Sequence, residues 1–232
     1  MADPVLDANY DPLSDSAVRE SSRAPRPRDA APLILVRQAA EPRILMGRRH
    51  SGHAFMPSKW VFPGGAVDRT DSRAPAASEL DPETTRRLGP RARALALAAI
   101  RETFEEAGLL LARPAPTARA PAAWRPFTER GVLPDLAPLA FVARAITPPY
   151  RHKRFDARFF MADAAHLLSL DRLADTGELE EIAWFTMDDA ETLDLPSITR
   201  FVVREVGQRL DSPERRAPFV RMIRGARIVD WL

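Results

Sequence analysis

The sequence predicts an α/β fold, a mixed sheet flanked by helices, and three observations predict it. Short runs rich in β-branched and aromatic residues recur along the chain, Leu33 to Val36 and Leu139 to Ile146 among them. Two longer segments, from Pro90 to Ala107 and from Ile198 to Leu210, carry apolar residues at helical spacing. The two kinds of segment interleave without strict alternation, as a mixed sheet with helices on its faces requires.

In chain order, residues 1–31 are rich in Ala, Pro, Ser, Asp and Arg without periodicity and read as a flexible leader. Residues 32–232 then read as a single domain, with ordered structure beginning at Pro32. Leu33 to Val36 and Arg43 to Gly47 are expected strands, and the short Ala39-Ala40-Glu41-Pro42 link makes them a hairpin. Trp60 to Phe62 is a further strand, broken by Pro63-Gly64-Gly65, a turn where backbone can approach a ligand closely. A loop follows with a short helix from Pro82 to Leu88, for which Asp81 is a natural cap. The Ala-rich stretch after Pro90 favours a long helix, ended by Gly108 in the left-handed conformation. Ala112 to Pro126, rich in Pro and Ala, reads as a surface excursion with the character of a lid. Leu139 to Ile146, Ala157 to Met161 and Glu181 to Thr186 are expected strands, and Ile198 to Leu210 an amphipathic helix. No internal repeat is present.

Composition narrows the chemistry. Thirty-four Lys and Arg against thirty-two Asp and Glu leave a net charge of +2, and Lys59 and Lys153 are the sole lysines, so no basic field points to nucleic acid or an anionic membrane. With no cysteine, disulfides, thiolate metal sites and a cysteine nucleophile are excluded. No apolar run reaches membrane-spanning length, and a leader carrying Asp3, Asp7, Asp11 and Asp15 is neither a signal peptide nor a transit peptide. The C-terminal Val229-Asp230-Trp231-Leu232 carries no peroxisomal address, and a cytoplasmic location is expected.

Arg101-Glu102-Thr103-Phe104-Glu105-Glu106-Ala107-Gly108-Leu109 carries the strongest chemical signal. On a helix, Leu97, Ile100, Phe104 and Ala107 gather on one arc and Glu102, Glu105 and Glu106 on the opposite one. Three carboxylates within a turn repel one another and sit toward the helix's partially negative end. Arg101 and a bound Mg²⁺ or Mn²⁺ are the candidates to compensate them, since hard cations take oxygen ligands and pair with substrate phosphates. An ordinary solvated acidic face is the competing reading, and the Pro-Gly-Gly turn upstream argues against it.

The turn and the acidic helix together resemble the Nudix box of the Nudix hydrolases, G-x5-E-x7-R-E-U-x-E-E-x-G-U with U a bulky aliphatic residue. Gly65 opens the box, Arg101 and Glu102 fill its Arg-Glu pair, Glu105 and Glu106 its Glu pair, and Gly108 and Leu109 close it. Two departures stand out. Asp71 occupies the position of the first glutamate, with Asp68 its rival for that role. Arg101 then follows Asp71 by thirty residues rather than eight, so the box holds an insertion of 22 residues, at about 72–90.

That insertion, with Phe55-Met56-Pro57-Ser58-Lys59-Trp60-Val61-Phe62-Pro63-Gly64-Gly65 before it, resembles the branch containing the peroxisomal coenzyme A diphosphatase of mammals and its bacterial relatives. Thr147-Pro148 and Arg154-Phe155-Asp156-Ala157-Arg158-Phe159-Phe160 resemble segments of the same branch. The resemblance spans roughly residues 33 to 210. It implies an α/β/α sandwich with a loop-helix-loop catalytic motif, Mg²⁺ or Mn²⁺ as cofactor, and hydrolysis of a nucleoside diphosphate linked to another moiety. Coenzyme A or acyl-CoA head the substrate list; ADP-ribose, dinucleotides and capped RNA stay open.

By that resemblance the metal set is Glu102, Glu105, Glu106 and the Gly65 carbonyl, and the catalytic set is Glu102, Arg101 and Glu105. Glu102 is either a third ligand or the base that orients water, and Arg101 is expected to hold a carboxylate in place. Arg48, Arg154 and Arg158 are the candidate substrate-binding residues, within a group that includes Arg49, Arg151, His152 and Lys153; a solvated loop and an Arg154–Asp156 pair are the competing readings. His50, His53, His152 and His166 lack metal-ligand spacing. Trp60, Phe55 and Trp124 are candidates for stacking on a base, with the core as the competing reading for Trp60 and Phe55. Glu178, Glu180 and Glu181 form a second acidic patch, read chiefly as surface with one member a candidate to lie beside the metals. Expected partners are a small-molecule nucleoside diphosphate substrate, no membrane and no nucleic acid, and a homodimer is left open. A different class of function is a Nudix-fold sensor that binds a nucleotide without hydrolysing it; intact Glu102, Glu105 and Glu106 favour the enzyme.

Overall fold

The computed structural model describes residues 24–52, 56–116, 119–173 and 178–232. The greater part of the expected leader, 1–23, together with His53 and Phe55, lies outside the described residues.

Strand β1 (Arg28–Arg37) runs through the middle of a nine-stranded sheet. It pairs in parallel with β8 (Phe155–Asp163) on one edge. On the other edge it pairs antiparallel, first with β4 (Gly64–Ala66) and then with β2 (Arg43–Arg49). The expected hairpin is present, with Val36 opposite Ile44 and Arg37 opposite Arg43. β1 nevertheless begins four residues inside the segment read as leader. Its first residues are recruited by two neighbours, Arg28 donating its N–H to the Arg154 carbonyl at 2.9 Å and Ala31 lying opposite Gly65. Local composition cannot report such partners, because they lie far along the chain.

β2 also pairs with the two-residue β3 (Trp60–Val61) and with β9 (Leu179–Thr186). The other end of the sheet is β7 (Ala140–Ile146), antiparallel to β8, then β10 (Pro218–Ile223) and β11 (Ala226–Trp231). This last hairpin was not among the sequence expectations. Its signal was a two-residue turn, Arg224-Gly225, with φ of 49° and 84°, the paired positive dihedrals that join two strands with the sheet's own twist.

Adjacent residues of β1 point to opposite faces, and both faces are buried. Leu33 and Leu35 pack into one core with the long helix α2 (Ala92–Ala107), which follows the short α1 (Pro82–Leu88). Ile34 and Val36 pack into the other with Val202, Val203 and Val206 of α5 (Ser197–Asp211), beside α4 (Met187–Thr192). A strand buried on both sides reads as a continuous apolar run, which is how Leu33 to Val36 reads. The result is an α/β/α sandwich with a mixed sheet. α1 has the extent expected, with the Asp81 carboxylate accepting N–H bonds from Glu83 at 2.9 Å and Thr84 at 3.0 Å.

Ala112 to Pro126 is not a loose excursion. β5 (Ala112–Pro114) pairs with β6 (Val132–Pro134), and between them the short α3 (Arg125–Thr128) brings Phe127 against Trp124 and Phe104, with ring centroids 5.2 and 5.4 Å apart. Trp124 and Phe127 are fully buried, and burying two large rings outweighs the disorder that a Pro- and Ala-rich composition favours. Trp124→Ala is therefore expected to lower stability by about 3–5 kcal/mol, as cavities left by large aromatics do. Chemical denaturation measures this, and a loss under ~1 kcal/mol is incompatible with the packing.

Candidate active site

The box helix ends where the sequence places its stop. Gly108 takes the left-handed conformation, φ 69° and ψ 19°, and donates its N–H to the Phe104 carbonyl at 2.8 Å. Ala96 to Ile100, more than a full turn, are wholly buried, so this stretch of α2 is enclosed on every side and the rotation of its last turn is fixed with it. That turn meets the Pro-Gly-Gly corner. The Gly64 N–H donates to Glu106 Oε2 at 2.8 Å, and a Cβ added at Gly65 would overlap the Glu102 carboxylate. Residues separated by the whole insertion thus touch.

Gly64 has φ 148°, and a Cβ there would also strike the backbone of Pro32, so glycine is required on two counts. At Gly65 the obstacle is the end of a side chain, which can move. Gly65→Ala is expected to displace the Glu102 carboxylate and lower kcat/KM by about 10²-fold, the cost of a misplaced reacting group. Its melting temperature should change by no more than ~2 °C. A variant with full activity would show that Glu102 need not sit where it does.

Arg101 is 6% exposed and organises the rest. Its Nε and one terminal nitrogen donate to Asp71 at 2.8 and 3.1 Å, and the same terminal nitrogen reaches the Ala66 carbonyl at 3.1 Å. The other terminal nitrogen lies 2.7 Å from Glu105 and 2.8 Å from Glu102. Asp71, fully buried, also accepts the Asp68 N–H at 2.7 Å. Of the two rivals, Asp71 holds Arg101, while the Asp68 carboxylate accepts from Thr70 in the local turn. Burial opposes the charge on Arg101, but its bonds to Asp71 and the fields of Glu102, Asp71 and Glu105 keep its pKa above the ordinary arginine range.

The carboxylates are not the solvated arc that helical spacing alone suggests. Glu106 is 5% exposed; burial pushes its pKa up to about 8, against the Gly64 N–H and nearby Arg49, with Glu102 and Glu178 adding repulsion. Burial likewise raises Glu102 to about 6, opposed chiefly by Arg101. Glu105, its side chain 42% exposed, shifts upward for the same first reason. As the side chains stand, no three His, Asp or Glu groups among the described residues converge to hold a metal, Glu105 being drawn to Arg101. The donor set still fits a hard cation. Glu102 and Glu106 present desolvated carboxyl oxygens to one cleft, and a divalent charge beside them favours their ionised form against the cost of that burial.

The cleft has a volume of about 310 Å³. Glu102, Glu106 and Glu178 supply its acidic lining, and Arg28, Arg49 and Lys153 its cations. Glu178 is the member of the second acidic patch that reaches the site; Glu180 and Glu181 instead flank Arg48 at 3.6 and 3.4 Å. The geometry separates the arginine candidates in the same way. Arg48 and Arg49 are neighbours on β2 and point oppositely, which puts Arg49 into the cleft and Arg48 onto β9. Arg154 donates to the carbonyls of Thr147 and Pro25 at 3.0 and 2.8 Å, and Arg158 to Asp29 at 2.5 Å. Arg48, Arg154 and Arg158 are thus committed to the protein, with Arg144 and not Arg154 pairing Asp156 at 2.7 Å. Trp60 packs edge-on against Phe185 at 5.0 Å in the core on the α5 side of the sheet, and Trp124, a candidate for stacking on a base, is instead buried against Phe127 in the core on the α2 side.

Residues 26–205 match the NUDIX domain family. The chain belongs to that family. Its resemblance to individual relatives is more limited: over 83 residues it is 40% identical to a Caenorhabditis elegans protein carried under the name nudix hydrolase 7, itself an inferred assignment, a stretch covering 36% of this chain and 22% of that one. The match therefore spans about a fifth of that relative's length. Among solved structures, a NUDIX hydrolase from Alicyclobacillus acidocaldarius superposes with a TM-score of 0.61 at 28% identity, covering 77% of this chain and 90% of the other. A MutT protein from Methanosarcina mazei Go1 shares the fold at 15% identity and a TM-score of 0.50, over 81% and 98% of the two chains. In this Nudix chain no helix of the described residues is long and apolar enough to cross a membrane.

Proposed function

We propose that the protein is a divalent-metal-dependent pyrophosphohydrolase that cleaves the diphosphate of a nucleoside diphosphate linked to another moiety, with coenzyme A or its acyl esters as leading substrates and the cytoplasm as its location. One observation carries the reading: the desolvated carboxyl groups of Glu102 and Glu106 line the same cleft as the Gly64-Gly65 corner and the cations Arg28, Arg49 and Lys153. Support for the coenzyme A branch comes from Thr147 and Phe155, two residues of the segments that carry that resemblance, which also line the cleft.

Glu102, Glu105, Glu106 and the Gly65 carbonyl would hold Mg²⁺ or Mn²⁺, which when bound supplies positive charge for the phosphate oxygens and acidifies water. Glu105 would join the set by leaving Arg101, whose remaining bonds to Asp71 and Ala66 keep the guanidinium in place. Glu102 is suited to orient water and accept its proton, because burial already holds its pKa near neutrality, at about 6. Arg49 and Lys153, which line the cleft, take the substrate-binding role first assigned to Arg48, Arg154 and Arg158 and are suited to meet phosphate oxygens.

The test is product release from coenzyme A, acyl-CoA, ADP-ribose and dinucleotides, with and without Mg²⁺, for wild type and Glu105→Gln. Metal-dependent turnover that falls in the variant is the expected result. Tight nucleotide binding without turnover of any compound would make the protein a sensor and end the hydrolase reading.

A further inference from the structure

The cleft does not end at the box. Met56, Thr147, Ala157, Phe159 and Ile198 line both it and a second chamber, of about 100 Å³, that continues between the end of β7 and the C-terminal hairpin. The two chambers differ in charge. Around the first, three carboxylates face three cations. The second is lined by Arg151, Arg221 and Arg227 on an apolar floor, and among the described residues its lining holds no carboxylate.

These arginines are held in place. Arg151 stacks on Tyr150 at 5.4 Å, Arg221 on Phe219 at 5.0 Å and Arg227 on Phe201 at 5.4 Å. From outside the lining, Asp230 accepts from Arg221 Nε and one terminal nitrogen at 3.1 and 2.7 Å and fixes that guanidinium from one edge. Stacking uses the face of a guanidinium, whereas binding to phosphate uses its edge, so a stacked arginine is oriented for an anion at low entropic cost. Like charges gathered around an apolar floor favour an anion among them.

Resting on the hydrolase reading, we propose that this chamber binds a second anionic group of the substrate, a phosphomonoester set apart from the diphosphate that is cleaved. The reacting diphosphate lies at the box, and the additional phosphate passes Ile198 and Phe159 to meet Arg151, Arg221 and Arg227. The chamber thereby selects among nucleoside diphosphate compounds without taking part in the chemistry.

The experiment pairs molecules that differ by one phosphate. With Mg²⁺, kcat/KM is compared for coenzyme A against its 3′-dephospho form and for NADPH against NADH. Affinity for adenosine 3′,5′-bisphosphate against AMP is measured calorimetrically in parallel, so that the outcome does not depend on turnover. The phosphorylated member of a pair is expected to win by ~10-fold or more, a difference of about one good charge-assisted contact. Arg227→Gln or Arg221→Gln should shrink the preference to within ~3-fold through KM, leaving kcat on the dephospho compound unchanged. Equal affinity for bisphosphate and monophosphate in the wild type overturns the proposal even if every compound is hydrolysed. Absence of hydrolysis with the bisphosphate preference intact overturns the enzyme reading and retains the chamber.

Discussion

Glu106→Gln is expected to lower kcat by roughly 10²- to 10³-fold, the scale on which losing one preorganised charge contact acts, and to stabilise the metal-free protein at the same time. The second effect distinguishes this residue from an ordinary buried one. Glu106 has a folded pKa of about 8 against an ordinary 4.5. Between those values the folded chain binds more protons than the unfolded chain, so stability falls as pH rises through the window and the whole penalty is present above pH ~8. An amide at this position carries no such penalty, and its oxygen can still accept the Gly64 N–H. Measured in EDTA, the variant should melt a few degrees above wild type at pH ~8.5, about 2–4 °C per kcal/mol for a chain of this size, and close to it at pH ~5. Mg²⁺ should raise the wild-type melting temperature and the variant's less. A gap independent of pH would show that the ionised carboxylate is not the source of the penalty.

Arg101→Met is expected to destabilise the fold by about 3–5 kcal/mol, because it leaves Asp71 buried without its cation. The loss should be recoverable. Adding Asp71→Leu removes the stranded charge, and the double variant is expected to regain at least half of what the single variant loses. Activity should stay low in both, since Glu102 and Glu105 lose the guanidinium that places them. Chemical denaturation of the two single variants and the double variant closes the cycle. Additive losses would mean that Asp71 and Arg101 act independently, contrary to their paired bonds.

Much of this architecture was legible where the signal is local. The Asp81 cap and the Gly108 stop bracket segments whose helical preference is set within a few residues, and both helices end where those residues place them. The touching of Gly64-Gly65 and the Glu102–Glu106 turn was legible because a motif encodes it. The losses share one cause. Whether Arg48 or Arg49 enters the cleft depends on which face of β2 the cleft occupies, and strand alternation fixes only that they differ; an irregularity in the ladder to β9 between them complicates even that. Arg154 and Arg158 look like phosphate ligands in sequence, but carbonyl and carboxylate partners from β1 and the residues before it claim them. Composition likewise describes Ala112 to Pro126 as a loop, because two aromatic residues decide its fate only once α2 is in place to receive them.

The clasp of Asp71 on Arg101 has a consequence for how the chain tolerates change. It ties the two ends of the 22-residue detour to each other, and Ser78 on Asp135 pins the detour again partway along. With its ends anchored, lengthening such a detour adds only a logarithmically growing entropic cost, ~0.6 kcal/mol per doubling. Spatial alignment of the acidic turn is thereby uncoupled from contour length, and the bend at Gly89, where an added Cβ would meet open space, becomes a place where foreign sequence can be spliced while the carboxylates of that turn keep their positions.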